Sequence, residues 1–249
     1  MKQAMIFAAG LGTRLKPLTD SMTKALVPVQ GVPLIERVVL KLKAAGIERM
    51  VVNVHHFAQQ IVEFLAAHDN FGVDIRISDE TSELLETGGG LKKALPLFDS
   101  ASPILIHNVD ILSNVDIKAL YDLAEASKSD ALLLVSKRKT KRYLLFDEEN
   151  MLHGWTNVDT GELRSPYPLT DVDDFQKLAF SGIHVLLPSA FSLFSNMPKR
   201  FGVMDFYLKY CHQHSFFGYE QQDLQLIDVG KYDSLGDAEE FLNTLDLHL

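Results

Sequence analysis

Apolar and polar positions follow two periods along the chain, and the switches between them lay out its elements. Residues 3–9, apolar from Ala4 onward, form a first strand. Leu34, Ile35, Val38, Val39, Leu42 and Ala45 then recur at helical spacing and stop at Gly46, a residue that ends helices well. The β-branched run 50–54 reads as a buried strand, 58–67 as a helix and 73–77 as an alternating strand. A helix over 90–97, a strand over 103–107, a helix over 117–126 and a strand over 131–135 continue the series. Repeated strand–helix–strand units of this length predict an α/β fold, with a mixed, mainly parallel sheet covered by helices on both faces.

The second half is less regular. Residues 143–146 and 151–155 read as a hairpin about 147–150, and 156–176 as a polar surface excursion rich in Pro, Gly and Asp. Loops of that length are usually functional or disordered. A strand over 179–186, helices over 189–194 and 204–212, strands over 216–219 and 224–229, and a helix over 232–247 complete the chain. With no internal repeat or linker, we expect one domain over 1–249, divided into a regular part (1–136), a small β subregion (137–230) and a C-terminal helix (231–249).

Composition narrows the classes. The chain has 249 residues, 47% of them hydrophobic, which is enough for a large core. A formal charge of −9 with no Lys/Arg block argues against general nucleic-acid binding. The single cysteine, Cys211, excludes an internal disulfide and a cysteine zinc site, and fits a reducing compartment. Met1-Lys2 leads straight into the first strand without room for a signal peptide, and no apolar run approaches the ~18–20 residues of a membrane span. A cytoplasmic protein without a membrane partner is the expectation.

Chemistry concentrates where strands stop. The first strand breaks at Gly10 and Gly12, with Arg14 and Lys24 close behind. Glycines let backbone N–H groups close on an anion, and the two cations add a fork and a point charge. The loop lacks the Gly-Lys-Ser/Thr of a P-loop, and Leu15 stands where a dinucleotide fingerprint needs its third glycine. The alternative is an ordinary turn with a surface arginine. Asp110, just past the strand 103–107, would project into the crevice beyond the strand ends, unless it caps a helix, a role open to Asp116 or Asn114. Asp228 sits inside an apolar strand and needs a partner there. Two such carboxylates meeting over a phosphate would suit Mg²⁺. Glu86-Thr87-Gly88-Gly89-Gly90 precedes a helix beginning near Leu91, where bare backbone would admit a nucleobase or phosphate. The run 137–142 reads as a solvated loop, with contact to a phosphate as the alternative, and no serine sits in a nucleophile elbow.

Taken together, 10–14, 17–19, 24–29, 31–35, 86–90, 108–110, 180–183 and 227–230 resemble the sugar-1-phosphate nucleotidyltransferase family, with its Rossmann-like mixed sheet. The resemblance implies that 1–136 binds the nucleotide and 137–230 the sugar. Ala8, Ala9, Gly10, Gly12, Thr13 and Arg14 would hold the nucleotide, with Arg14 and Lys24 as the catalytic cations. Gly88 and Gly89 would line the base, and Asn108 the ribose or sugar side. Glu86, Ser181 and Gly182 would touch the sugar, and Asp110 and Asp228 would hold Mg²⁺. The substrates implied are a nucleoside triphosphate, UTP foremost, and a sugar 1-phosphate, N-acetylmuramate 1-phosphate foremost; guanylyl transfer to mannose or heptose 1-phosphate is the alternative. Two departures stand out. Thr23 precedes the lysine where the family often has proline, and Trp155-Thr156-Asn157 replaces a Glu-Lys-Pro, leaving the sugar-side cation unassigned. A binding protein without turnover is the rival of another class, and monomer and homodimer are both open.

Overall fold

The computed structural model describes residues 1–169 and 171–245. β1 (Gln3–Phe7) leads to two short strands, β2 (Pro28–Val29) and β3 (Val32–Pro33), then α1 (Leu34–Ala44), β4 (Arg49–Val54), α2 (Ala58–Ala67) and β5 (Asp74–Asp79). Next come α3 (Glu86–Ala94), β6 (Ile104–Asn108), β7 (Ile111–Ser113), α4 (Ile117–Ala126) and β8 (Ala131–Ser136). A meander of β9 (Arg142–Phe146), β10 (Leu152–Asn157) and β11 (Glu162–Arg164) leads to β12 (Gln176–Leu186). α5 (Val203–Tyr210), β13 (Phe216–Glu220), β14 (Leu226–Asp228) and α6 (Ser234–Thr244) complete the described chain.

One sheet runs β11-β10-β9-β12-β6-β1-β4-β5, with β8 joined to β12 and β13 to β8. β6, β1, β4 and β5 are parallel, because a helical segment carries the chain back between β1 and β4, β4 and β5, and β5 and β6. β12 is antiparallel to both β6 and β8 and so mixes the sheet. Side chains alternate across β1. Ala4 and Ile6 enter a core with α1, α2, α4 and α6, while Met5 and Phe7 enter a second core with α3 and α5. Burial on both faces is why the strand reads as a continuous apolar run.

The registers place the ends of several strands on one edge. Phe7 lies opposite Asn108, and β8 runs the same way as β6 because both are antiparallel to β12. Between Phe180 and His184 the pairing of β12 with β8 shifts register at Ser181-Gly182, where Gly182 adopts φ 78°. Bulges of this kind re-aim a strand beside a site.

Four expectations need correction. α3 starts at Glu86, so the three glycines lie inside the helix rather than ahead of it. The excursion 156–176 carries a strand, β11, paired with β10. β7, unforeseen, pairs antiparallel with β14, which puts Asp228 on a two-stranded ribbon open to solvent rather than inside a buried strand. The closing helix begins at Ser234, and residues 246 and 247, read as its end, lie outside the described residues.

Candidate active site

The sheet edge where β1 and β6 end holds a cleft of about 170 Å³, lined by Ala8, Gly10, Lys24, Thr87, Asn108 and Asp110 among others. A Cβ on Gly10 would meet nothing within 4 Å, so the backbone there is open at the cleft. Gly12 differs: it has φ 64°, and a Cβ there would sit 2.9 Å from Thr19. Its carbonyl accepts from Leu15 N (2.8 Å) and Thr19 Oγ1 (2.8 Å), which closes the turn and starts the short helix Thr13–Leu15 carrying Arg14. Ala8 and Ala9 are buried, and the Ala8 amide is already given to Asn53 Oδ1 (2.8 Å).

Lys24 is only 9% exposed, and its ammonium pairs closely with Asp110 Oδ2. Asp116 caps α4 by accepting from Ala119 N (2.8 Å), which leaves Asp110 for the cleft. The β7–β14 ribbon then brings the second carboxylate alongside: Asp228 lies opposite Ile111, and Val229 N donates to Asp110 O (2.8 Å). Gly230 leaves room for Asp228 and Arg14 to approach each other, since a Cβ there would sit 2.6 Å from Asp228 Oδ1 and 3.0 Å from an Arg14 guanidinium nitrogen. Tyr232 N reaches Arg14 O (3.1 Å) and ties the chain after β14 to the glycine turn.

Asp228 is exposed on its ribbon, yet its pKa is raised. Desolvation by the protein behind it is the main cause and the Asp110 charge adds to it, while Lys24, Arg14 and Arg138 oppose. The folded chain therefore holds this proton more tightly than an unfolded one, and the ionised carboxylate costs stability above its pKa. Asp228→Asn should raise the melting temperature by about 1–3 °C at neutral pH. The gain should shrink as pH falls toward the raised pKa of wild-type Asp228. Melting curves at two pH values check this; a lower melting temperature at neutral pH would count against it.

Other predicted residues are placed differently. The amides of Gly88 and Gly89 both donate to Phe201 O (2.9 and 3.1 Å). A Cβ on Gly88 would collide with the Phe201 ring, one on Gly89 with Lys199 O, and one on Gly90 would lie 2.6 Å from Glu80 Oε1. Close packing of α3 against protein accounts for the glycines without a ligand. Glu86 turns to Arg200 (2.9 Å). Ser181 is buried with its hydroxyl on Leu134 O (2.6 Å), so that hydroxyl faces away from the cleft. Gly182 instead makes room for Asn108, whose Nδ2 would lie 2.6 Å from a Cβ there.

Three contributions escaped sequence reasoning. Thr87, the residue before the glycines, lines the cleft. Asn53 and the fully buried Glu80 bridge Ala8 to the start of α3: Asn53 Nδ2 donates to Glu80 Oε1 (2.7 Å), and Leu85 N to Glu80 Oε2 (3.1 Å). Arg138, in the run that reads as a solvated loop, donates to Phe180 O (3.0 Å) beside the bulge and acts on Asp228 from the β8 side. Their signals are a buried polar pair and a cation at a strand end, neither visible without the pairing.

Asp110 and Asp228 fit a divalent cation by their donor chemistry. They are two hard oxygen donors, and Lys24 takes Oδ2 of Asp110 alone. Among the described residues no group of three or more His, Cys, Asp or Glu could hold a metal, so further ligands would come from substrate and water.

The profile of the family described as nucleotidyl transferase matches residues 3–145. An N-acetylmuramate alpha-1-phosphate uridylyltransferase of Caulobacter vibrioides is 48% identical over 111 residues, covering 44% of this chain and 46% of that protein. Its counterpart from Neisseria meningitidis serogroup B is 40% identical over 124 residues, covering 50% and 53%. The aligned stretch thus spans about half the length of these curated relatives. In fold, the chain is similar to a crystal structure of a putative glucose-1-phosphate thymidylyltransferase from Bacillus anthracis in complex with a sucrose, with a TM-score of 0.81 and 19% identity over 100% of this chain and 98% of that one.

Proposed function

The chain belongs to the nucleotidyl transferase family, and from that premise we propose that it transfers a uridylyl group from UTP to N-acetylmuramate 1-phosphate, releasing pyrophosphate. The observation that carries the transfer is the Arg14–Lys24–Asp110–Asp228 cluster at the carboxyl ends of β1 and β6. The substrate pair rests on the two relatives whose names specify it.

An oxygen of the sugar phosphate attacks the α-phosphorus of the triphosphate in line. One P–O bond forms as the bond to the β-phosphate breaks, and the electron pair leaves with pyrophosphate. Phosphate monoesters have a second pKa of about 6, so the nucleophile is already mostly dianionic at neutral pH and no general base is required. Two polyanions must instead be brought together against their repulsion. The open backbone at Gly10 admits the triphosphate, Arg14 forks onto it, and Lys24, held by Asp110, is aimed at the α-phosphate. Asp110 and Asp228 would hold Mg²⁺, which when bound neutralises and orients phosphate oxygens.

Arg138, whose charge acts on Asp228 and which donates to Phe180 O beside the bulge, is our candidate for the acceptor-side cation that Trp155-Thr156-Asn157 does not supply. A charge-assisted hydrogen bond is worth about 1.5–3 kcal/mol. Arg138→Gln should therefore raise KM for the sugar 1-phosphate about tenfold or more and leave KM for UTP within about threefold. Steady-state kinetics varying each substrate separates these, and equal rises in both constants would remove Arg138 from the acceptor side.

The reading as a whole is tested by pyrophosphate release with four nucleoside triphosphates crossed against muramate, mannose, heptose and glucose 1-phosphates. Turnover is expected with UTP and N-acetylmuramate 1-phosphate. GTP with mannose or heptose 1-phosphate as the best pair would overturn the substrates but keep the reaction. Nucleotide-dependent thermal stabilisation without product in any pair would instead mark a binding protein.

A further inference from the structure

A second cavity, of about 190 Å³, shares no lining residue with the cleft. It lies between Arg37, Val38 and Lys41 of α1, His107 of β6, Ile111 and Leu112 of β7, and Leu242 of α6. Val38, Ile111, Leu112 and Leu242 are all buried core side chains, yet between them they leave space unfilled. Protein interiors are close-packed, and an apolar hole of roughly 150 Å³ is already large enough to hold benzene.

The two cations of the lining lack counter-ions. The Lys41 ammonium donates closely to Ser113 O and weakly to Ser113 Oγ (3.4 Å), both neutral acceptors. Arg37 donates to Val29 O (2.7 Å), and its Nε has no partner. Among the described residues neither cation forms an ion pair with a carboxylate. Cations in apolar surroundings without a counter-ion are costly. Burial accordingly pulls Lys41 down to about 8 against the Asp116 charge, and lowers Arg37 against Glu36. His107 is 1% exposed; Nδ1 must donate to Asn108 O (2.8 Å), so Nε2 is a bare acceptor, and no group meets it.

We infer that this cavity binds a small organic anion with an apolar body, a monocarboxylate of about the size of benzoate, and that its filling is felt at Asp110 and Asp228. The ring replaces the missing packing against Leu112 and Leu242, and the carboxylate supplies the counter-ion that Lys41 and Arg37 lack. Coupling to the cleft is covalent and short. Ile111 comes directly after Asp110 and stands opposite Asp228 in the ribbon, and His107 precedes Asn108 on β6. A ligand seated on Ile111 and Leu112 therefore holds the ladder from which both carboxylates project.

Benzoate is titrated into the full chain by calorimetry, with benzamide as its neutral counterpart, in wild type, Lys41→Met and Leu242→Trp. Saturable benzoate binding is expected, at least tenfold weaker for benzamide and for Lys41→Met, and blocked in Leu242→Trp, where the cations are intact and the space is filled. No benzoate binding, equal binding of benzamide, or unchanged binding in both variants would overturn the site. The coupling rests on the proposed reaction and is read separately. Saturating benzoate should change turnover at least twofold in wild type and not in Leu242→Trp. Binding with unchanged turnover would overturn the coupling alone, whereas a wild type inactive with every substrate pair, with or without benzoate, would overturn the reaction and leave the binding result standing.

Discussion

Asp110→Asn should lower nucleotidyl transfer about a thousandfold or more and leave the chain folded. The aspartate does two things at once. It is the partner of a nearly buried Lys24, and it is the inner half of the carboxylate pair. Asparagine keeps an oxygen for the Lys24 ammonium but removes the charge that attracts a divalent cation, and the loss of one such transition-state interaction typically costs about 10²–10³ in rate. Losing the proposed cation site as well would push the effect beyond that range. Asp110→Ala serves as the contrast: with no acceptor at all, Lys24 becomes an uncompensated buried charge, a change that costs about 3–5 kcal/mol in comparable pairs. The two variants should be equally inactive and differ in melting temperature. Pyrophosphate release by Asp110→Asn within tenfold of wild type would remove Asp110 from the mechanism.

Gly88→Ala is expected to be the most damaging single methyl group in α3. Its Cβ would be driven into the edge of the Phe201 ring, which is itself buried and packed against Phe194. Carbon atoms prefer ~3.5–4.0 Å, so helix or ring must move by more than a tolerable amount. A loss of about 3 kcal/mol, the upper range for overpacking, corresponds to a fall in melting temperature of roughly 6–12 °C. Phe201→Leu in the same chain should restore at least half of the loss, because the two residues share one volume. If Gly88→Ala melts like wild type and instead loses nucleotide affinity, packing is not the reason for the glycine.

That glycine run shows where sequence reasoning succeeds and stops. Glycine costs about 1 kcal/mol against alanine in a helix, so three in a row read as a break. The helix exists because Phe201, Lys199 and Glu80 crowd its backbone, and these residues are far away in sequence. The helices over 58–67 and 117–126 were legible to the residue, since their periodicity is local and, for the second, Asp116 announces the cap. The cleft was legible in part: Gly10, Asn108 and Asp110 sit where strands end, and strand ends can be read from hydrophobic runs, whereas Lys24 opens a short helix and reaches the cleft only through the fold. The meeting of Asp110 with Asp228 was not, because β7 and β14 are three residues each and their register is set across more than a hundred residues. Ser181 faces inward for a related reason. A shift of one residue exchanges the faces of a strand, and the bulge beside it decides which side chain meets the cleft.

β12 has a mechanical consequence. Its eleven residues pair first with β9 and then with β6, so the meander and the main sheet hang from one continuous beam. The bulge at Ser181-Gly182 interrupts that beam between its two spans, so a bend between the meander and the main sheet has one place to form.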